Sequence, residues 1–431
     1  MPLLATRARG IFGIVSTLLM LVTPVTGVAL ALAHAMPKLN TAKQNTPKQG
    51  ATKEIIKTGG NPNLPFSPAV KAGGFIYVAG TLGTDASGAL AKGDVKAQTR
   101  QTLDNIAATL KAGGTNLARA ASVTVYLRNV SDFAAMNEVY ATYFPKDPPA
   151  RTTVVVTQPL ANPDALVEIA MVAIPSVGER STIHPTGWIK SPNPYSYGIK
   201  SGNTLFLSGL VSRNGKDNTT IKGDVAAQTK VVLDNGAAIL KEAGMSYSDV
   251  VSSRVYLTDD TAFQAMNAAY RPYFASGAPP ARATVKTALA SPDYAVEITM
   301  VAVKDAGRNV ITTPNADGSA GTVNPNLSSA IQTTNRLFVA GITGNTSTNK
   351  GDVKAQTSEV LARVGRTLKT AGFDWPNVVD AVVYLPDMSK FQDMNAAYRE
   401  VFAKDFPARA TVGTGLMGAD AAVEIMFTAV K

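Results

Sequence analysis

Arg151, Arg282 and Arg409 each follow a Pro-Ala step and enter a run rich in Thr and Val. Glu168, Glu297 and Glu424 each sit alone inside a Val-Glu-Ile run 15–17 positions further on. A guanidinium held in an apolar cleft binds a small carboxylate through two parallel hydrogen bonds. A carboxyl group beside it can orient a water or shuttle a proton. A purely structural reading competes with this one. Each arginine would pair with the glutamate of its own repeat and tie two strands together, about neutral for stability because desolvation offsets the Coulombic gain. Neither residue is specific alone; the pair at near-fixed spacing, three times over, is far more so.

Composition excludes several other chemistries. The 431 residues contain no cysteine, which removes disulfides, thiolate nucleophiles and cysteine-ligated metals. His34 and His184 are the only histidines, too few for a Ser-His-Asp triad or a histidine metal site in each repeat. The net charge of +10 is concentrated at the amino terminus: Arg7 and Arg9 carry two charges and residues 36–60 a net four more, leaving +4 for residues 61–431. So small an excess over so large a body makes no basic stripe, and no specific nucleic-acid partner is expected.

Arg7 and Arg9 precede an apolar run from Ile11 to about Leu32 that ends Ala31-Leu32-Ala33-His34-Ala35. A basic start, an apolar middle and small residues at −3 and −1 predict a signal peptide over residues 1–35, cleaved after Ala35 or Ala33. The alternative is an uncleaved membrane anchor, since the run nears the ~20 residues that span a bilayer. Either reading exports the remainder, to the periplasm or the medium. Residues 36–58, rich in Lys, Thr, Gln and Pro, read as a flexible basic linker.

The positions that would carry chemistry lie in three copies of one unit. Gly93-Asp94-Val95-Lys96-Ala97-Gln98-Thr99 returns at Gly223–Thr229 and Gly351–Thr357, and Phe133-x-x-Met136-Asn137-x-x-Tyr140 returns from Phe263 and from Phe391. The arginines are 131 and 127 residues apart, a spacing that suits whole small domains rather than solenoid repeats. Domains are expected at 59–175, 188–304 and 318–431, with Pro/Gly/Asn/Ser-rich joints between them.

In the first unit, Phe75–Gly80 reads as a strand. Asp94 caps a helix with Leu103, Ile106, Ala107 and Leu110 on one face, closed by Gly113-Gly114. Val123, Val125 and Leu127 alternate with polar neighbours in a second strand. Ser131, Thr261 and Ser389 stand before a second helix, where a hydroxyl can accept an orphan N–H. Thr152–Thr157 and Ala165–Ala173 complete an α/β (α+β) two-layer sandwich, two helices covering one face of a mixed sheet. The strand around Glu168 is apolar on both faces, so the uncovered faces of the three units are expected to pack together as an intramolecular pseudo-trimer.

The Pro-Ala-Arg-x-Thr-Val and Val-Glu-Ile motifs, the Asn-x-x-Tyr helix and the Gly-Asp-Val-x-Ala-Gln-Thr helix start resemble the RidA/YjgF family of enamine/imine deaminases. The likeness covers essentially all of residues 60–431. It implies a chorismate-mutase-like fold, trimers with clefts between subunits, and hydrolysis of reactive 2-imino or 2-enamino acids to 2-keto acids and ammonia without cofactor. By this resemblance Arg151, Arg282 and Arg409 clamp a substrate carboxylate, and Glu168, Glu297 and Glu424 activate water. Asn137, Asn267 and Asn395 take the place of the helix asparagine, whose structural role would be hydrogen bonding to backbone. Thr153, Thr284 and Thr411 replace the family cysteine.

The family tyrosine and serine occur only in the second repeat, as Tyr195 and Ser208. The first repeat has Phe66 and Ala79 there, the third Leu327 and Ala340. One complete catalytic set is therefore expected, Arg282, Glu297, Tyr195, Ser208 and Asn267. Arg151, Arg409, Glu168, Glu424, Asn137, Asn395 and Thr284 would serve binding. A non-catalytic protein binding small keto or amino acids is the competing reading. An endoribonuclease, an activity attached to some members of the family, lacks both the charge and the stacking aromatics.

Overall fold

Six-residue strands beginning at Ala150, Ala281 and Ala408 carry the three arginines, and each pairs in parallel with the central strand of its own repeat. The computed structural model describes residues 53–58, 63–275 and 277–431, so the proposed signal peptide lies outside the described residues. Each repeat builds one mixed sheet. In the first the order is Glu54–Ile56, Ala69–Ala72, Phe75–Leu82, Val167–Ala173, Ala120–Leu127, Ala150–Val155. Two helices, Val95–Ala112 and Phe133–Tyr143, cover one face, and Leu103, Ile106, Leu110, Met136 and Tyr140 pack on Val123, Val125 and Ile169. The two-layer expectation holds in all three repeats.

Local chemistry explains where the helices begin. Asp94, Asp224 and Asp352 accept hydrogen bonds from the N–H of Ala97, Ala227 and Ala355, as helix caps should. The second helices differ from expectation. Each is entered through a short 3₁₀ turn, and Ser131, Thr261 and Ser389 lie within that turn rather than capping the helix. Asp259 and Asp387, earlier in the chain, accept from the N–H of Thr261 and Ser389 instead.

The sheets also take in strands from outside the expected domains. Glu54–Ile56, assigned to the linker, forms the outer strand of the first sheet, because Ile56 is buried and can pair with Ala69–Ala72. Ser181–Ile183 and Asn309–Ile311, both between the expected domains, do the same for the second and third sheets.

The helix-free faces of the three sheets meet one another. One cluster joins Tyr126, Tyr256 and Tyr384 with Val154, Val285 and Val412, equivalent residues of all three repeats. Backbone pairing closes the ring. Ala288–Leu289 adds to the edge of the first sheet, and Gly415–Leu416 adds to the second. The N–H groups of Thr157 and Gln158 both donate to the Gly413 carbonyl of the third. Each sheet edge is thereby covered by the next repeat, which removes an exposed pairing edge. One chain forms the pseudo-trimer.

Candidate active site

Strand register decides which arginine meets which glutamate. Arg151 stands opposite Val123, whereas Glu168 stands opposite Tyr126 on the same central strand. Three residues apart along a strand means opposite faces. Arg151 therefore turns toward its own helices and Glu168 toward the neighbouring repeat. The same offset separates Arg282 from Glu297, across Ser253 and Tyr256, and Arg409 from Glu424, across Ala381 and Tyr384. An arginine cannot pair with the glutamate of its own repeat, and the structural pairing considered from sequence is overturned.

The glutamates instead approach the arginine strands of other repeats. Arg151 is electrostatically coupled to Glu297, Arg282 to Glu424, and Arg409 to Glu168. A conserved docking contact fixes this arrangement. The Ser196 N–H donates to the Pro149 carbonyl at 3.1 Å and its hydroxyl to the Pro148 carbonyl at 2.6 Å. Ser67 does the same to Pro407 and Phe406, and Ser328 to Pro280 and Pro279. These serines, absent from the sequence-based site, immediately follow Phe66, Tyr195 and Leu327. Their signal was a serine at one position in all three repeats.

Tyr195 and Glu297 of the second repeat are electrostatically coupled to Arg151 of the first, and Ser208 precedes Gly209, whose N–H donates to the Arg151 carbonyl at 3.0 Å. Arg282 is bonded to Asn267 and coupled to Glu424. Arg409 is bonded to Asn395, coupled to Glu168 and set against the Phe66 ring. The expectation of clefts between units did not say which arginine would stand beside Tyr195, and the structure sets Arg151 there.

All three guanidinium groups are buried, at most 4% exposed, and each lies 4.7 Å from the ring centre of a helix tyrosine: Tyr140, Tyr270 or Tyr398. That cation–π platform fixes the fork without using its donors. Arg282 and Arg409 donate to Asn267 and Asn395 at 2.6 and 2.7 Å, so these asparagines hold arginine rather than backbone. Asn137 differs: its amide donates to Asn193 at 3.5 Å. Donors remain in every cleft, since Arg151 Nη1, both Nε and Nη1 of Arg282, and Arg409 Nε have no hydrogen-bond partner. Thr153, Thr284 and Thr411 likewise hold buried hydroxyls without partners. Burial lowers the pKa of each arginine, to about 10 for Arg409, which leaves it cationic at neutral pH.

Burial has the opposite effect on the glutamates. Glu168, Glu297 and Glu424 are each pushed up to about 8, with the facing arginine offsetting part of the desolvation. They are protonated at neutral pH and poised to give up a proton. A glycine makes room for each: a β-carbon on Gly80, Gly209 or Gly341 would overlap the carboxyl of Glu168, Glu297 or Glu424. Sequence reasoning did not assign these glycines to the site, although all three stand at the same position of the repeat.

Ser208 is fully buried, and its hydroxyl donates to the Tyr197 carbonyl at 3.2 Å. Tyr195 is partly buried at the rim, edge-on to Tyr197 at 6.0 Å. In the Arg409 cleft the Phe66 ring lies 5.6 Å from the guanidinium carbon, an apolar surface with no hydroxyl to offer.

Residues 59–175, 188–304 and 320–431 each match the family model described as Endoribonuclease L-PSP, which corresponds to the RidA/YjgF proteins. The chain belongs to this family. A RutC family protein of Pyrococcus horikoshii is 47% identical over 124 residues, 28% of this chain and 97% of the relative. The 3-aminoacrylate deaminase RutC of Acinetobacter baylyi is 43% identical over 124 residues, again 28% and 97%. Among solved structures, E. coli TdcF with bound serine is similar at 28% identity, covering 29% of this chain and 99% of its own, with a TM-score of 0.28. Each relative thus corresponds to one RidA/YjgF unit of the three. The family includes enamine/imine deaminases, which supports a deaminase-type hydrolase reading in general.

Proposed function

We propose that the Arg151 cleft hydrolyses 2-imino and 2-enamino acids to 2-keto acids and ammonia, and that the other two clefts bind small carboxylates without turning them over. The observation that carries this reading is the meeting of Arg151, Tyr195, Ser208 and a protonated Glu297 at one boundary between repeats. Arg151 holds the substrate carboxylate through its free donors. Water adds to the imine carbon and passes a proton to the Glu297 carboxylate, which has just given its own proton to the nitrogen. The C–N bond then breaks, ammonia leaves, and the C=O bond forms. A carboxyl near pKa 8 suits both transfers. Tyr195 closes the rim and presents a neutral phenol, since burial raises its pKa.

The named activity of RutC, deamination of 3-aminoacrylate, supports the reaction class. The other clefts favour binding for a specific reason: Asn267 and Asn395 occupy one donor of their arginines, and Leu327, Ala340, Phe66 and Ala79 offer no side-chain hydroxyl. The test is ammonia release from freshly generated 2-iminopropionate. A rate no higher than that of Arg151→Ala would overturn the catalytic reading. A flat thermal-shift response to keto, amino and hydroxy acids would overturn the binding one. We also place the reaction outside the cytoplasm, on the basis of residues 1–35; amino-terminal sequencing of protein from cell fractions checks both export and cleavage.

A further inference from the structure

The pseudo-threefold axis carries residues that the clefts do not use. Phe75, Thr204 and Arg336 occupy one position in the three repeats, and they touch. Arg336 donates to the Thr204 hydroxyl at 2.6 Å, and its guanidinium carbon lies 5.3 Å from the Phe75 ring centre. Further along the axis, Ser122, Ser252 and Asp380 are equivalent to one another, as are Tyr77, Phe206 and Phe338. All six line one cavity of about 60 Å³, with Arg254 and Arg336. Beyond it, Tyr126, Tyr256 and Tyr384 close the axis within an apolar cluster.

Two features point to a ligand. Arg336, which lines the cavity, is 4% exposed, and its Nε has no hydrogen-bond partner. Arg254 and Asp380 both line the cavity and feel one another's charge, yet no ion pair within 4.0 Å joins them. The gap between a guanidinium and a carboxylate is thus open to a molecule that satisfies both. Two cations and one carboxylate line the cavity, with Asp305 offsetting part of the Arg336 charge from outside the lining, and this balance favours an anion. The carboxylate asks that this anion also donate a hydrogen bond, and the volume limits it to a few heavy atoms.

We propose that the axial cavity binds one compact oxyanion that retains a proton, of the hydrogen carbonate or hydrogen phosphate type, with oxygens on Arg254 and Arg336 and its O–H donated to Asp380. A homotrimer could not build this site. Symmetry would repeat every axial charge three times, placing three guanidinium or three carboxylate groups around a space that holds one ion. Fusion of the repeats into one chain lets the axis carry Ser122, Ser252 and Asp380 at one level and a single Arg254 at another.

The test is calorimetric titration of the full chain, in low-salt buffer at neutral pH, with hydrogen carbonate, inorganic phosphate and nitrate. One saturable event for hydrogen carbonate or phosphate is expected, with nitrate at least about tenfold weaker because it has no O–H to donate. The first two titrants separate the two sources of the same chemistry. Arg254→Met should weaken the event by about tenfold or more, the loss of a charge-assisted contact. Asp380→Asn, which keeps the cavity's shape, should tighten nitrate and erase the preference for a protonated ion. Binding that survives Arg254→Met, nitrate binding equal to the others in the unaltered protein, or no saturable event up to millimolar concentrations would each overturn the proposal.

Discussion

The Arg151 and Arg409 clefts are built on one scaffold and end in different chemistry. Both hold a buried guanidinium 4.7 Å from a helix tyrosine, face a glutamate raised to about 8, and are docked by a serine on the Pro-Ala-Arg step. They differ in what surrounds that core. Tyr195 is coupled to Arg151 in the first, whereas the Phe66 ring lies against Arg409 in the second. Arg409 is tied to Asn395, while Asn137 turns to Asn193 and leaves Arg151 unbonded by its helix. The shared part keeps the repeats assembled and the cleft charged. The variable part decides which ligand fits and whether it reacts, because an unmatched buried polar group penalises the wrong partner heavily.

The sharpest break in this comparison comes from the glutamates. Glu297→Gln should lower kcat for 2-iminopropionate hydrolysis by about 10²–10⁴-fold, the usual worth of a positioned proton donor. Glu168→Gln and Glu424→Gln should leave the rate within about twofold if, as proposed, only the Arg151 cleft turns over substrate. Steady-state ammonia release on all three variants checks this.

Next in size, Arg151→Ala should cost about 10²-fold in kcat/KM, the loss of a bidentate charged contact to the carboxylate. Arg282→Ala and Arg409→Ala should instead diminish thermal stabilisation by keto acids. Equal rate losses in all three arginine variants would dissolve the distinction between the clefts.

Glu297 also sets the pH profile. Its neutral form predominates below about 8, so kcat should hold through neutral pH and fall as pH rises through that value. The sign for stability is the same. A carboxyl raised on folding binds more protons in the folded state, so stability contributed below the unfolded pKa is lost as pH rises through the folded one. Gln at 168, 297 and 424 together should flatten the loss of Tm between about pH 4.5 and 8.

The smallest effect concerns the scaffold that the clefts share. Ser196→Ala removes a hydroxyl contact between the first and second repeats and should lower stability by about 1 kcal/mol in chemical denaturation. The accompanying rise in KM, from a looser Tyr195, should exceed that in Ser67→Ala.

Much of this was legible in the residues themselves. The asparagine–tyrosine helix, the aspartate caps and the alternation around Val123 were local patterns, and local patterns survive into the fold. The three-way packing was readable because the strand around Glu168 is apolar on both faces. The second-helix caps were misread since a 3₁₀ turn displaced Ser131, Thr261 and Ser389 by one step. The residues around Glu54, Ser181 and Asn309 joined sheets because pairing with a strand far along the chain outweighs a linker-like composition.

The sequence by itself determined which residues exist in three copies and which in one: the arginine, the glutamate and the docking serine in every repeat, Tyr195 and Ser208 in the second alone. Only the tertiary structure decided who meets whom. An odd register offset along the central strand sends the arginine and glutamate of one repeat to opposite faces, so each arginine is coupled to the glutamate of another repeat and Tyr195 stands with Arg151 rather than Arg282. The same closure brings Arg254, Arg336 and Asp380 to one axis from positions far apart in the chain. Those meetings depend on packing between distant strands, and no local pattern encodes them.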